Sequence, residues 1–186
     1  MDEDGINGPP DSGRPIFLIG FMGAGKSTVG KALAKKLQRQ FIDLDVLIEQ
    51  KAGAQIRDIF AHVGEQAFRD LELEAIQSLE TVSNAVVALG GGSYNAAVNR
   101  ARLRGIGTTV WIDCPIEICW SRISSNVSRP LLGSLEEMER LLLARRPAYQ
   151  EADIRVQVGR DSPGKVVIAI VEALGLGPTN PPASSP

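Results

Sequence analysis

Ile16-Phe17-Leu18-Ile19-Gly20-Phe21-Met22-Gly23-Ala24-Gly25-Lys26-Ser27-Thr28 is the stretch from which the rest of the chain can be read. Its first four residues are apolar without alternation, the pattern of a strand covered on both faces. Gly20 to Ser27 then fits G-x-x-x-x-G-K-[ST], and Val29, Leu33 and Leu37 follow on one face of a helix. Strand, glycine loop and helix in that order make a phosphate cradle. Loop N–H groups and the helix N-terminus attract the charge, and Lys26 is placed to reach the β and γ oxygens. Ser27 offers a hydroxyl to Mg²⁺. Gly23, Ala24, Gly25, Lys26, Ser27 and Thr28 are the expected triphosphate contacts. A glycine-rich turn with a solvated lysine is the ordinary alternative, and the flanking strand and helix weigh against it.

Outward from this loop, Phe41-Ile42-Asp43-Leu44, Ala85 to Leu89, Thr109 to Ile112 and Ile154 to Val158 read as further strands. Between them, Ile56, Ile59, Phe60 and Val63 recur at helical spacing, as do Phe68, Leu71, Ala75, Leu79 and Val82. Pro115 opens another helix. Ser134 to Glu137 has capping-box spacing, starting a helix through Leu141-Leu142-Leu143. Ser162-Pro163 caps a last helix with Val166, Val167, Ile170, Val171 and Leu174 inward, stopped by Gly175. Apolar strands alternating with helices predict an α/β fold: a five-stranded parallel sheet with helices on both faces. Ligands of such sheets gather at the carboxyl ends of the strands.

The 186 residues suit one domain, spanning 16–174. Residues 1–15 and 175–186, rich in Gly and Pro, are expected to be disordered extensions. Acids outnumber bases by 22 to 20, which argues against a nucleic-acid or anionic-lipid partner. No uncharged apolar run reaches the roughly 18 residues of a membrane span. The acidic start lacks the features of a signal or transit peptide. Two cysteines, Cys114 and Cys119, cannot build a disulfide framework or a four-ligand zinc site. The expectation is a cytoplasmic protein without membrane or nucleic-acid partners.

A GTPase switch would carry N-K-x-D, and no such tetrapeptide occurs. The apolar run ending at Asp113 imitates a metal-binding acid strand, but Asp43 and Asp45 make a better site. Spaced D-x-D at the end of the second strand, they point toward the phosphate loop. One carboxylate can hold magnesium through water, and the next can accept a hydroxyl proton. Asp45 also precedes Val46-Leu47-Ile48 as a helix N-cap would, and is expected to do both jobs.

Six motifs now stand in order: G-F-M-G-A-G-K-S-T, F-I-D-L-D, D-I-F-A-H-V-G-E-Q-A-F-R, L-G-G-G, R-P-L-L and R-R-P-A-Y. Together, from about Ile16 to Leu174, they resemble the shikimate kinases, a nucleoside-monophosphate-kinase-like family. The resemblance implies a P-loop NTP-kinase fold with a mobile lid at about 123–134. It implies transfer of the ATP γ-phosphoryl group to the 3-hydroxyl of shikimate, in chorismate and aromatic amino-acid biosynthesis. By the same resemblance Asp43 assists Mg²⁺, Asp45 binds substrate hydroxyls, and Arg69 and Arg145 bind the substrate carboxylate. Gly90, Gly91 and Gly92 line the substrate side, and Arg129 is the lid arginine acting on the transferring group. Arg122 would stack on adenine opposite the loop from Arg160 to Pro163.

The chemistry of shikimate agrees with these assignments. Its carboxylate calls for guanidinium groups, and its hydroxyls for a carboxylate and for backbone amides near Gly91. Glu72, three residues after Arg69, can orient that guanidinium, with an ordinary surface pair as the alternative. Phe60 and Phe68 either wall the ring or are simply core. His62, Cys114 and Cys119 carry no expected catalytic role. Ser93-Tyr94-Asn95 departs from the family, where a small apolar residue more usually follows the glycines, and the acidic N-terminal extension precedes the usual start. A gluconate-type or nucleotide kinase would lack the joint constellation. An inactive nucleotide-binding regulator would show damage at Lys26, Asp45, Arg69 or Arg145, and all four are present. The expected partners are ATP, shikimate and Mg²⁺, with the chain acting as a monomer.

Overall fold

The structure is a computed structural model describing residues 13–124 and 134–176. Strand β1 (Ile16–Ile19) is buried at every residue and runs through the glycine loop into α1 (Lys26–Leu37). There follow β2 (Gln40–Asp43), α2 (Leu44–Ala52) and α3 (Ile56–Ser78), closed by a 3₁₀ turn at Leu79–Thr81. The second half runs β3 (Ala85–Ala88), α4 (Ala97–Ile106), β4 (Thr108–Asp113), α5 (Ile116–Ser124), α6 (Leu135–Tyr149), β5 (Ile154–Gln157) and α7 (Pro163–Ala173).

The strands form one five-stranded parallel sheet in the order β2-β3-β1-β4-β5. Like β1, β3 is buried throughout, as a sheet covered on both faces requires. Helix α1 packs with α7, and α3 packs with α4. From β1 the chain crosses to β2 and β3 on one side, then to β4 and β5 on the other. The phosphate loop leaves β1 at this switch of direction, where sheets of this kind open a crevice for ligand.

Several local expectations change. Leu44 begins α2 instead of ending the second strand, and the side chain that caps α2 is that of Asp43, not Asp45. Asp43 has extended backbone and its carboxylate accepts the Asp45 N–H at 3.2 Å, so the last strand residue already serves as cap. Helix α3 is broken at Gly64 (φ 84°, ψ 177°), which turns Val63 out to 60% exposure. Leu79 lies in the 3₁₀ turn and Val82 beyond it. Helix α6 opens on the expected capping box at Ser134 but continues past Leu143, with Pro147 inside it, to Tyr149. Ser162 and Pro163 occupy the cap and first turn of α7, although the serine side chain makes no capping bond. Helix α4 has no counterpart in the sequence reading, because only Asn99 and Leu103 are buried along it.

Both boundaries also move outward. Gly13, Arg14 and Pro15 are held by their carbonyls, which accept from Asn84 N–H, Arg39 Nη1 and Thr108 N–H. At the other end Gly175 adopts φ 68°, and the N–H groups of Gly175 and Leu176 return to the carbonyls of Glu172 and Val171. This closed C-terminal turn brings Leu176 against the core.

Candidate functional site

The residues nearest the phosphate loop form the first half of the site. Lys26 Nζ donates to the carbonyls of Gly20 at 2.8 Å and Phe21 at 2.9 Å, folding the loop around its own ammonium. Desolvation lowers its pKa from 10.5 to about 8, against the opposing pull of Asp45, Cys119 and Asp43. Ser27 Oγ donates to Asp43 Oδ2 at 2.7 Å. The end of β2 and the start of α1 thus present two hard oxygen donors side by side. A cavity of about 440 Å³ opens over Gly25, Lys26, Ser27, Thr28, Asp43, Asp45 and Gly91.

The second half is assembled from α2, α3, α6 and the glycines after β3. A methyl group on Gly90 would lie 2.6 Å from Asp45 Oδ1. One on Gly92 would lie 3.4 Å from guanidinium nitrogens of both Arg69 and Arg145. The missing side chains are therefore what lets three charged groups close on this loop. Arg145 Nη1 donates to the Gly91 carbonyl at 3.1 Å, and the Tyr149 hydroxyl donates to the same oxygen at 2.5 Å. Burial pushes the Tyr149 pKa up to about 12, so it stays a donor at neutral pH. Arg69 donates through Nη1 to Glu72 Oε2 and through Nη2 to Glu65 Oε1, each at 3.0 Å. Glu72 is only 3% exposed, which removes the surface-pair alternative. Phe68 is buried beneath Arg69, and Phe60, 39% exposed, stacks on it with ring centroids 4.6 Å apart.

Tyr149 and Glu65 were not legible as site residues. Tyr149 stands four residues after Arg145 on one helix, a spacing that could have revealed it. Glu65 stands four residues before Arg69, and the same spacing could have revealed it.

On the far side of the loop, Arg122 Nη1 donates to the Gly23 carbonyl at 3.1 Å. Arg122, Thr28 and Pro163 line one groove with Gly159 and Asp161. Arg160 does not line this groove; Gly159 and Asp161 on either side of it do. Asp113 is paired with Arg155 and Arg146 and lines a separate cleft, so the D-x-D acids face the phosphate loop without it. His62 Nδ1 lies 2.8 Å from the Asp58 carbonyl, and both cysteines are buried. Arg129, with most of the expected lid, lies outside the described residues; Ser124 ends α5 and Ser134 caps α6.

Among the described residues no group of three or more His, Cys, Asp or Glu side chains could cage a metal. Ser27 and Asp43 suit a different mode, in which Mg²⁺ takes one or two protein oxygens and completes its shell with phosphate and water. No described helix is long and apolar enough to cross a membrane.

Known proteins resemble this chain along most of its length. The shikimate kinase family model matches residues 22–175. The shikimate kinase of Geobacter sulfurreducens is 47% identical over 165 residues, covering 87% of this chain and 89% of that protein. That of Microcystis aeruginosa is 42% identical over 166 residues, 87% of each chain. Among solved structures, the shikimate kinase from Acinetobacter baumannii in complex with shikimate superposes with a TM-score of 0.85. It is 33% identical and covers 91% of this chain and 97% of its own. A gluconokinase from Sinorhizobium meliloti, at 17% identity and a TM-score of 0.56, shares the fold alone. A family model that spans most of the chain, and relatives 42% and 47% identical across nearly their whole lengths, leave one conclusion: the chain belongs to the shikimate kinase family.

Proposed function

We propose that this chain transfers the γ-phosphoryl group of ATP to the 3-hydroxyl of shikimate, releasing shikimate 3-phosphate and ADP. The product would enter chorismate and aromatic amino-acid biosynthesis. The observation that carries this reading is the convergence of Asp45, Arg69 and Arg145 on Gly90–Gly92, beside Lys26. Two guanidinium groups suit one carboxylate, and an acid beside backbone amides suits a ring bearing hydroxyls.

In this reading the loop from Gly23 to Thr28 wraps the triphosphate, and Lys26 neutralises charge on its β and γ oxygens. Arg122 and Pro163 flank the adenine. Arg69 and Arg145 hold the substrate carboxylate, which fixes the 3-hydroxyl beside Asp45 for in-line attack. Asp45 accepts the proton from that hydroxyl, or orients it where proton loss is late. Ser27 and Asp43 would hold Mg²⁺, which supplies charge neutralisation at the phosphates when bound. Arg129 takes its role at the transferring group from the R-P-L-L resemblance. We place the enzyme in the cytoplasm as a monomer, without nucleic-acid or membrane partners.

ADP release, measured with shikimate, gluconate and AMP as separate acceptors, tests the reading. Turnover with shikimate alone is expected. Equal or faster turnover with gluconate or AMP would overturn it, and no turnover with any acceptor would favour a nucleotide-binding regulator.

A further inference from the structure

Ser93 closes the glycine turn after β3, and it is completely buried. Its hydroxyl donates to Glu72 Oε1 at 2.7 Å, while Glu72 Oε2 accepts Arg69 Nη1 at 3.0 Å. The two oxygens of one buried carboxylate are thereby divided between the glycine loop and the carboxylate-binding arginine. Ser93 is itself held on two further sides. Its N–H donates to the Gly90 carbonyl at 3.2 Å, and its carbonyl accepts from Asn99 Nδ2 on α4 at 2.9 Å. Asn99 is buried as well.

An apolar residue at position 93 would leave Glu72 Oε1 without this donor in a site that water does not reach. A buried carboxylate that loses a donor must turn to find another or draw a proton. Either change alters its grip on Arg69 Nη1. Glu65 alone would then hold the guanidinium, from an exposed side chain 69% open to solvent.

We propose that Ser93 is a positioning residue for the acid substrate, acting through Glu72 to set the aim of Arg69. The proposal rests on the functional reading above and deepens it. The loop that receives substrate hydroxyls at Gly90 and Asp45 is clamped by Ser93 to the arginine that receives the carboxylate. That clamp fixes the separation between the two ends of the substrate, and so selects for a hydroxy acid of that span.

The test is steady-state kinetics of Ser93→Ala, Glu72→Gln and the double variant, with shikimate and ATP each varied. Ser93 reaches the substrate only through Glu72 and Arg69, so a fraction of one charged hydrogen bond is felt. Shikimate KM is therefore expected to be about three- to tenfold higher in Ser93→Ala. The ATP KM and kcat are expected to stay within about twofold. In the Glu72→Gln background, adding Ser93→Ala is expected to change shikimate KM by less than about twofold, because the charge through which Ser93 acts on Arg69 is already gone. An unchanged shikimate KM, a parallel rise in ATP KM, or full additivity in the double variant would overturn the proposal. Ser93→Cys, close in size and a poor donor, stands in if Ser93→Ala does not fold, with the same expectations. Wild-type protein that releases no ADP with shikimate would sink the functional reading itself, which the variants alone could not do.

Discussion

Lys26 gives the residue scale its clearest test, because its depressed pKa touches binding and stability with opposite signs. Its value of about 8 lies below the ordinary 10.5. In the free enzyme the ammonium therefore discharges as pH rises through about 8, and ATP loses its cationic partner. We expect kcat/KM for ATP to be level below this pH and to fall by up to about tenfold per unit above it. Stability moves the other way. Between pH 8 and 10.5 the unfolded chain binds the proton that the folded chain has released, so this group favours folding more as pH rises. A rate lost above pH 8 with the protein still folded assigns the loss to Lys26. Lys26→Arg, which stays charged, should remove the alkaline limb; a limb that persists would assign the ionisation elsewhere. The two acids separate in the same manner. Asp43 bonds Ser27 and caps α2, whereas Asp45 lies against Gly90. Asp45→Asn should lower kcat by roughly 10²–10⁴-fold if proton removal counts in the transition state, with magnesium dependence kept. In Asp43→Asn the magnesium requirement should rise instead. A metal defect confined to Asp45→Asn would mean that the roles are reversed.

At the scale of elements, α3 and α6 do the aiming, and α3 does so beyond a residue that breaks the helix. Gly64 takes φ 84° and ψ 177° within α3, a conformation that side chains exclude. The helix restarts after it across a kink, setting Glu65 and Arg69 one turn apart. A methyl group at Gly64 would meet nothing within 4 Å, so a substitution reports backbone strain alone. Gly64→Ala should cost about 1–3 kcal/mol, lowering Tm by roughly 2–10 °C. Its kcat/KM for shikimate should fall more than that for ATP; thermal melts and kinetics check both. This break also shows where sequence reading stopped. Ile56, Ile59, Phe60 and Val63 have helical spacing, and a helix is what they form. Periodicity says nothing of the turn that follows, and Val63, though it keeps the helical spacing, faces solvent. The acids after β2 were read to the right place, yet their capping roles were exchanged, because a cap depends on one backbone dihedral pair. Helix α4 escaped notice since two buried residues make no stripe.

For the whole molecule, the order β2-β3-β1-β4-β5 explains why motifs at strand ends are legible in the sequence as neighbours in space. Parallel strands all end on one edge, so motifs at strand ends far apart in sequence must meet there. Gly20–Ser27, Asp43–Asp45 and Gly90–Gly92 follow β1, β2 and β3, three neighbours in the sheet. Arg69 and Arg145 come from helix interiors, where no strand end announced them, and only the family resemblance located them. The two substrate halves consequently share one core while standing on different elements, and ligand binding should stabilise the fold through each half independently. At about 100 times Kd, ATP or shikimate alone is expected to add about 2.7 kcal/mol, or roughly 5–10 °C in Tm. Arg145→Ala removes a charge-assisted contact worth about 1.5–3 kcal/mol, weakening shikimate by roughly 10–150-fold. At the same shikimate concentration its stabilisation should shrink to about 0.3–1.4 kcal/mol, while the ATP shift stays whole. Thermal melts with each ligand separate the possibilities. Loss of both shifts would mean that Arg145, through its bond to the Gly91 carbonyl, serves the shape of the common cavity, not the acid pocket alone.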